Sequence, residues 1–285
     1  MDTLAWWSEH IFLVAIPYFL LGMAWEWHRL RRDGAGKRGY ELRDTAVSLT
    51  LGVIKLGMIA LCAGYAATLL TAAYEYRLFD LPPLAWWTWV LLFFGEDLAY
   101  YWYHRCAHRI RLFWAEHVNH HSSQYYNLGT ALRQSALAPA YKFMYYLPLA
   151  LIGFHPLAIL VQASISLLYQ FWIHTEAIGR LGWLEKVLNT PSHHRVHHGS
   201  NALYLDRNYG GILIIWDRLF GTFQEERADT PVRYGLVRDI HTYNPLRVIF
   251  HELAYLLRQA WQAPRWREKL GWVLLPPEWK PQPRE

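Results

Sequence analysis

Five long apolar stretches decide what this chain can fold into. They cover residues 11–27, 45–73, 85–103, 137–154 and 156–173. A helix that crosses a bilayer needs about 20 mostly apolar residues, and these runs have that character. The last two meet at His155-Pro156 and form a hairpin. The fold expected is therefore all-α, an integral membrane helical bundle of about four to five transmembrane helices. Composition agrees: 53% of residues are hydrophobic and only 18% charged, against about 25% charged in an ordinary soluble domain. Many of the 16 Trp and 19 Tyr stand near the ends of the apolar runs, where interfacial aromatic residues are expected. Lys55, inside the second run, would snorkel, pair with a partner or line a cavity.

Charge sets the orientation. The net charge is +5, but the basic residues flank apolar runs, which points to a cytoplasmic membrane face rather than to nucleic acid. Arg29, Arg31, Arg32, Lys37, Arg38 and Arg43 form the first loop, placed inside. The slightly acidic loop with Glu75 and Asp80 is outside, so the N-terminus is outside too. The third helix then descends to the cytoplasm, and the hairpin starts and ends there, with His155 at its outer turn. The first ten residues carry Asp2 and Glu9 but no Lys or Arg, so the first run is expected to be a retained helix, not a signal peptide. Cys62 and Cys106 form no disulfide framework. One domain over 1–285 is expected. Residues 1–95 hold N-terminal transmembrane helices, 96–223 a histidine-box core and 224–285 a cytosolic or interfacial segment. In the last, 250–261 has apolar residues at helical spacing and suits a helix on the membrane surface or packed on the core.

Nine of the 15 histidines fall into three tight groups on that one side: His104 and His108; His117, His120 and His121; His193, His194, His197 and His198. A lone HxxxH arises often by chance, but HxxxH, HxxHH and HHxxHH together are far more specific. On a helix, residues i and i+4 share a face, while i+3 is offset by about 100° from i+4. Each HxxHH unit can thus reach toward two metal centres. His174, at the cytoplasmic end of the fifth run, is a further candidate ligand. Eight to ten histidines exceed one tetrahedral zinc site and suit two metals. Imidazole binds Zn, Cu, Fe and Ni alike, so residue type alone does not select iron. Iron is favoured by the setting, ligands beside apolar helices, which suits oxygen activation against a lipid C–H bond; purified protein could carry zinc instead. Asp97, two turns before His104, is placed to orient a ligand ring, and Glu116 and Glu176 flank candidate ligands. His251-Glu252 begins like a zinc-protease motif, but Tyr255 stands where its second ligand is needed.

At these residues the chain resembles the fatty acid hydroxylase/sterol desaturase superfamily of membrane di-iron enzymes, over roughly 96–223. Within it the likeness is greatest to the alkylglycerol monooxygenases. The stretches that carry it are YWYHR at 101–105, HHSS at 120–123, YNLGTALRQS at 126–135, YQFWIHTE at 169–176, NTPSHHRVHHG at 189–199 and NYGGILIIWDRLFGTF at 208–223. The resemblance implies that His104, His108, His117, His120, His121, His194, His197 and His198 are metal ligands, and that His174 matches a further family histidine. Gln170 stands where some lipid hydroxylases place another. Tyr126, Asn127, Arg133, Gln134 and Glu176 are polar candidates for cofactor or substrate contacts. The implied reaction is hydroxylation of the ether-linked carbon of a glyceryl ether, with O2 and tetrahydrobiopterin as reductant. The chain stops soon after the domain, without the family's long C-terminal membrane extension. No GxGxxG, cysteine cluster or haem-attachment motif is evident, so an external electron donor is expected. Two other functions fit the same residues. One is hydroxylation or desaturation of a fatty acyl, sterol or carotenoid chain. The other is a non-catalytic membrane zinc-binding or transport protein, although transport sites lie near the bilayer midplane.

Overall fold

The computed structural model describes residues 2–33 and 39–282. Lys37 and Arg38 of the basic loop lie outside the described residues. Among those described, the secondary structure is helical, with no strand and one isolated bridge between Leu188 and Leu213. Two long helices come first, α1 (Asp2–Asp33) and α2 (Leu42–Glu75). Helix α3 (Trp86–Arg109) is followed at once by α4 (Arg111–His121). A single extended residue, Ile110 (φ −120°, ψ 117°), joins these two. It folds α4 back so that the histidines of both helices face one another.

The hairpin differs from expectation in its first arm. Residues 138–146 form short 3-10 turns and only Leu147–Ile152 (α5) is α-helical. Pro139 and Pro148 explain this, since a proline inside a helix removes a backbone donor and clashes with the preceding turn. The second arm, α6 (Pro156–Trp172), is regular, with Pro156 at its first position and the His155 side chain accepting from Leu157 N. The remaining helices are α7 (Pro191–His197), α8 (Ile215–Leu219), α9 (Pro245–Gln262) and α10 (Trp266–Leu274).

Helix α1 packs along α6, α2 along α5, and α4 is held between α3, α9 and α10. Among the described residues, by length and composition, α2 alone is a single helix apolar enough to cross a membrane; α1 qualifies as a second if its halves, bent by 43°, count as one. The arms at 142–152 and 156–172 are apolar but short. In α3 the apolar pattern is interrupted by Glu96 and Asp97 and ends in His104 and His108. Only 17% of the most apolar stretch of α2 is buried. Leu49, Val53, Leu56, Leu61 and Tyr65 point outward from it, and Leu13, Val14, Ile16, Leu20 and Leu21 point outward from α1.

Candidate metal centre

Nine buried histidines converge in two groups at the ends of these helices. His104, His108, His117, His121 and His197 form the first; His120, His174, His194 and His198 form the second, and within each group the ligand atoms lie within 4.8 Å of one another. The helical period divides the boxes between the groups. In α4, His117 and His121 (i, i+4) turn to the first group and His120 to the second. In α7 and its C-cap residue, His194 and His198 serve the second and His197 the first. The groups abut, with the rings of His121 and His198 stacked at 4.3 Å and those of His194 and His197 stacked at 5.1 Å.

Backbone carbonyls fix the protons. His104 Nδ1 lies 2.8 Å from the Tyr209 carbonyl, His120 Nδ1 3.0 Å from that of Arg133, His174 Nδ1 2.6 Å from that of Gln170 and His197 Nδ1 2.9 Å from that of Arg207. A carbonyl only accepts, so each Nδ1 carries the proton and each Nε2 presents a bare lone pair. Across the site the Nε2 atoms face one another. The Nε2 atoms of His174 and His120 are 3.2 Å apart, His174 and His194 2.9 Å, His104 and His117 3.1 Å, and His117 and His121 3.2 Å. His120 and His174, both protonated at Nδ1, present two acceptors that cannot bond each other at that distance; a shared cation resolves the conflict. Two nitrogens about 2.1 Å from one ion, at about 90–110°, would be about 3.0–3.4 Å apart. The buried Nε2 atoms of His108 and His197 have no hydrogen-bond partner either. The donor set therefore fits metal ions.

For the following rings electrostatics favours the neutral form that a metal requires. Burial, and then the crowding of neighbouring imidazoles, hold His117, His121, His194 and His198 well below the usual histidine range. His120 and His197 are held down in the same way, against the opposing effect of their carbonyl partners. Burial alone lowers His174 to about 4.

The carbonyls that aim these rings are themselves anchored. Asp206 and Asn208 adopt left-handed backbone (φ 59° and 57°), a conformation that Asp and Asn tolerate best among residues with a Cβ. This turns the carbonyls of Arg207 and Tyr209 toward His197 and His104. Asp217 accepts from Tyr209 N and Gly210 N, both at 2.8 Å. Asp206 also sits 3.5 Å from His108 Nδ1 and pairs with Arg109. Glu26, fully buried in α1, accepts from Leu128 N, Tyr40 Oη and Thr175 Oγ1. It thereby ties α1 to the residue after His174. Asp206, Tyr209 and Glu26 were not singled out from the sequence; the visible signal was a carboxylate, Glu26, at the end of an apolar run.

The other sequence candidates fall as follows. His193 is in neither group; its ring meets Phe223 edge-on at 5.4 Å. Among the described residues, Asp97 hydrogen-bonds to no imidazole. Its carboxylate accepts from Ile212 N, Leu213 N and Trp216 Nε1 at 2.7, 3.0 and 2.9 Å, so it holds the 209–213 turn and acts on His104 only through Tyr209. Glu116 accepts from Ser135 Oγ and Leu137 N. Arg133 and Gln170 contribute their carbonyls. The Arg133 guanidinium is held by Asn119 O and Ser122 Oγ beside Asp44, and the Gln170 amide donates to Ser166. Tyr126 donates to Ile173 O, stacks on Tyr234 at 4.7 Å and lies 5.1 Å from the His198 ring. Asn127 donates to Gly39 O. Gln134 accepts from Lys55 Nζ at 2.7 Å, which gives that lysine of the second apolar run its partner. Glu176 is half-buried beside the ligand-bearing segment.

Comparison with known proteins matches the segment in which these residues lie. The fatty acid hydroxylase family profile matches residues 89–222. Human alkylglycerol monooxygenase is 45% identical over 247 residues, 86% of this chain and 55% of the relative. The Xenopus tropicalis alkylglycerol monooxygenase is 42% identical over 275 residues, 96% of this chain and 59% of the relative. An ornithine lipid hydroxylase of Rhizobium tropici is 30% identical over 142 residues, 49% of this chain and 43% of the relative. The chain thus spans between half and three fifths of the length of the alkylglycerol monooxygenases named here. No solved structure matches. Residues 89–222 thus match the fatty acid hydroxylase family model, and the chain as a whole is similar to alkylglycerol monooxygenases.

Proposed function

We propose that this chain is a membrane di-iron monooxygenase acting on a lipid C–H bond, the ether-linked carbon of an alkylglycerol. The observation that carries the metal half is the convergence of nine buried imidazoles in two adjacent groups, four of them with Nδ1 on a backbone carbonyl so that Nε2 is free to ligate. The likeness to alkylglycerol monooxygenases supports the substrate half. Two iron ions, when bound, would supply oxygen activation and oxidising power. The first group would hold one ion and the second the other, each from rings aimed by backbone carbonyls.

The chain's own part is to hold ligands, exclude water and present the lipid. Balance requires that the ether R–CH2–O–R′ takes up O2, two electrons and two protons, giving a hemiacetal and water. The hemiacetal C–O bond then breaks. Its hydroxyl proton passes to the departing oxygen, leaving a fatty aldehyde and a glycerol derivative. The electrons come from an external reductant, a reduced pterin by the resemblance.

The same reading places the protein in a bilayer as one domain over 1–285. Helices α1, α2 and α3 cross it, and the short arms at 142–152 and 156–172 enter and return. The N-terminus is outside and the histidines face the cytoplasm. The outward apolar residues of α1 and α2 support this arrangement, because a soluble monomer rarely exposes so large an apolar patch.

The test is to supply iron-loaded protein with a 1-O-alkylglycerol, an acyl glycerol and a sterol, each with O2 and reduced pterin, and to trap aldehyde. Aldehyde from the ether alone, lost in His197→Ala, is expected. Hydroxylated or unsaturated acyl or sterol products without aldehyde would move the substrate elsewhere in the family. Absence of any O2 consumption would favour the zinc-binding reading.

A further inference from the structure

Helices α9 and α10 carry two apolar faces each, and the fold uses only one. Val248, Ile249 and Leu256 of α9 are buried, packed with Val47 and Leu51 of α2 and with Ala115 of α4; Trp272 of α10 joins the second of these clusters. Leu246, Phe250, Leu257 and Trp261 remain exposed, Trp261 by 83%. At 3.6 residues per turn these four fall within about 60° of one another. Helix α10 repeats the pattern with Trp266, Leu270 and Leu274, Trp266 being 65% exposed. Both stripes are bordered by basic residues. Among residues 245–282, Arg247, Arg258, Arg265, Arg267, Lys269 and Lys280 are exposed, whereas Glu278 is the one exposed acid and pairs with Arg109. Arg267 lies over the Trp266 ring and Lys269 over that of Trp261.

We infer that this face of α9 and α10 lies in the headgroup layer of an anionic bilayer, with the Leu, Phe and Trp side chains immersed and the arginines and lysines on lipid phosphates. Two observations name the occupant. The charge is complementary to anionic lipid, to which basic residues near such a surface are drawn. The buried side of α9 is clamped to the first turns of α2, from Val47 to Ile54. Those turns are the basic, cytoplasmic end of the clearest membrane-crossing helix, so α9 begins at the level where the bilayer starts. An apolar stripe with a basic border, lying beside a span and not crossing, is the pattern of an interfacial helix. The inference rests on the membrane placement proposed above.

The test uses the full chain, one copy per nanodisc, with a single cysteine added at Leu257→Cys in the stripe, at Gln262→Cys beyond it, or at Leu61→Cys in α2. Each is labelled with a polarity-sensitive fluorophore, and unaltered protein reports the background from Cys62 and Cys106. Nitroxide-bearing lipid is expected to quench the probe at 257 several-fold more than at 262. Quenching should rise when about a third of the phosphatidylcholine is replaced by phosphatidylglycerol, and fall again in Arg258→Gln/Arg267→Gln/Lys269→Gln. Quenching at 61 with water-like emission at 257 in both lipids would overturn this inference alone. A water-like probe at 61 would overturn the membrane placement as well. Shielding at 257 that needs a second copy in the disc would make the face a dimer interface and likewise overturn it.

Discussion

Replacing Asp97 by alanine should unfold the site before it weakens any ligand directly. The fully buried carboxylate accepts three hydrogen bonds, from Ile212 N, Leu213 N and Trp216 Nε1, at 2.7–3.0 Å. Each buried donor left without a partner costs about 1–3 kcal/mol, or roughly 3–9 kcal/mol for three. Water entering the vacated space recovers part, so about 4–6 kcal/mol is expected. At about 2–4 °C per kcal/mol for a chain of roughly this size, Tm should fall by roughly 10–20 °C. The turn so loosened presents the Tyr209 carbonyl to His104 Nδ1, and loss of such outer partners typically weakens metal binding by about 10–100-fold. Asp97→Asn keeps the shape and one acceptor oxygen, and should lose only about 2–3 kcal/mol. The assays are thermal unfolding in detergent and metal content after dialysis. Metal loss with an unchanged Tm would refute the reasoning, because Asp97 would then be acting on the ligands and not on the turn.

Further outcomes follow from the same geometry. His174→Ala should lose the ion of the second group and keep that of the first, leaving about half the metal of the unaltered chain, whereas His193→Ala should keep both, measured by elemental analysis. Metal-free protein should lose stability as pH falls through 6.5. The folded imidazoles resist protons that the unfolded chain takes up, and each costs about 1.4 kcal/mol per unit. For His174 the loss continues until the folded ring itself protonates near pH 4; a flat Tm between pH 7.5 and 5.5, about one unit below the unfolded value, would contradict this. Gly211→Ala should destabilise by about 1–3 kcal/mol, because its Cβ would come within 2.8 Å of Tyr100 and 2.9 Å of Asp97. Gly57→Ala in α2, with nothing within 4 Å, should be neutral or mildly stabilising.

What the sequence made legible was local. The HxxHH and HHxxHH spacings encode their own division between two centres, because a helix turns by a fixed angle per residue. The long apolar run of α2 declares a helix for the same reason. Less legible was everything set by long-range packing. Asp97 looked like a partner for His104 by spacing along α3, but its carboxylate is taken by a turn more than a hundred residues away. The first hairpin arm read as a span from its apolar content, while Pro139 and Pro148 broke it into turns. His193 differs from His194 by one helical step, enough to face Phe223. The carbonyls of Tyr209, Arg133, Gln170 and Arg207 leave no trace in residue type, since every residue has one. Only Asp206 and Asn208, suited to left-handed backbone, hint at that geometry.

The most direct test of the central claim is metal stoichiometry with spectroscopy. Protein purified anaerobically with iron supplied should carry about two irons per chain and give an exchange-coupled Mössbauer signal, because the two histidine groups share a wall. One iron per chain, two magnetically isolated irons, or two zincs that iron cannot replace would contradict a paired, oxygen-activating centre.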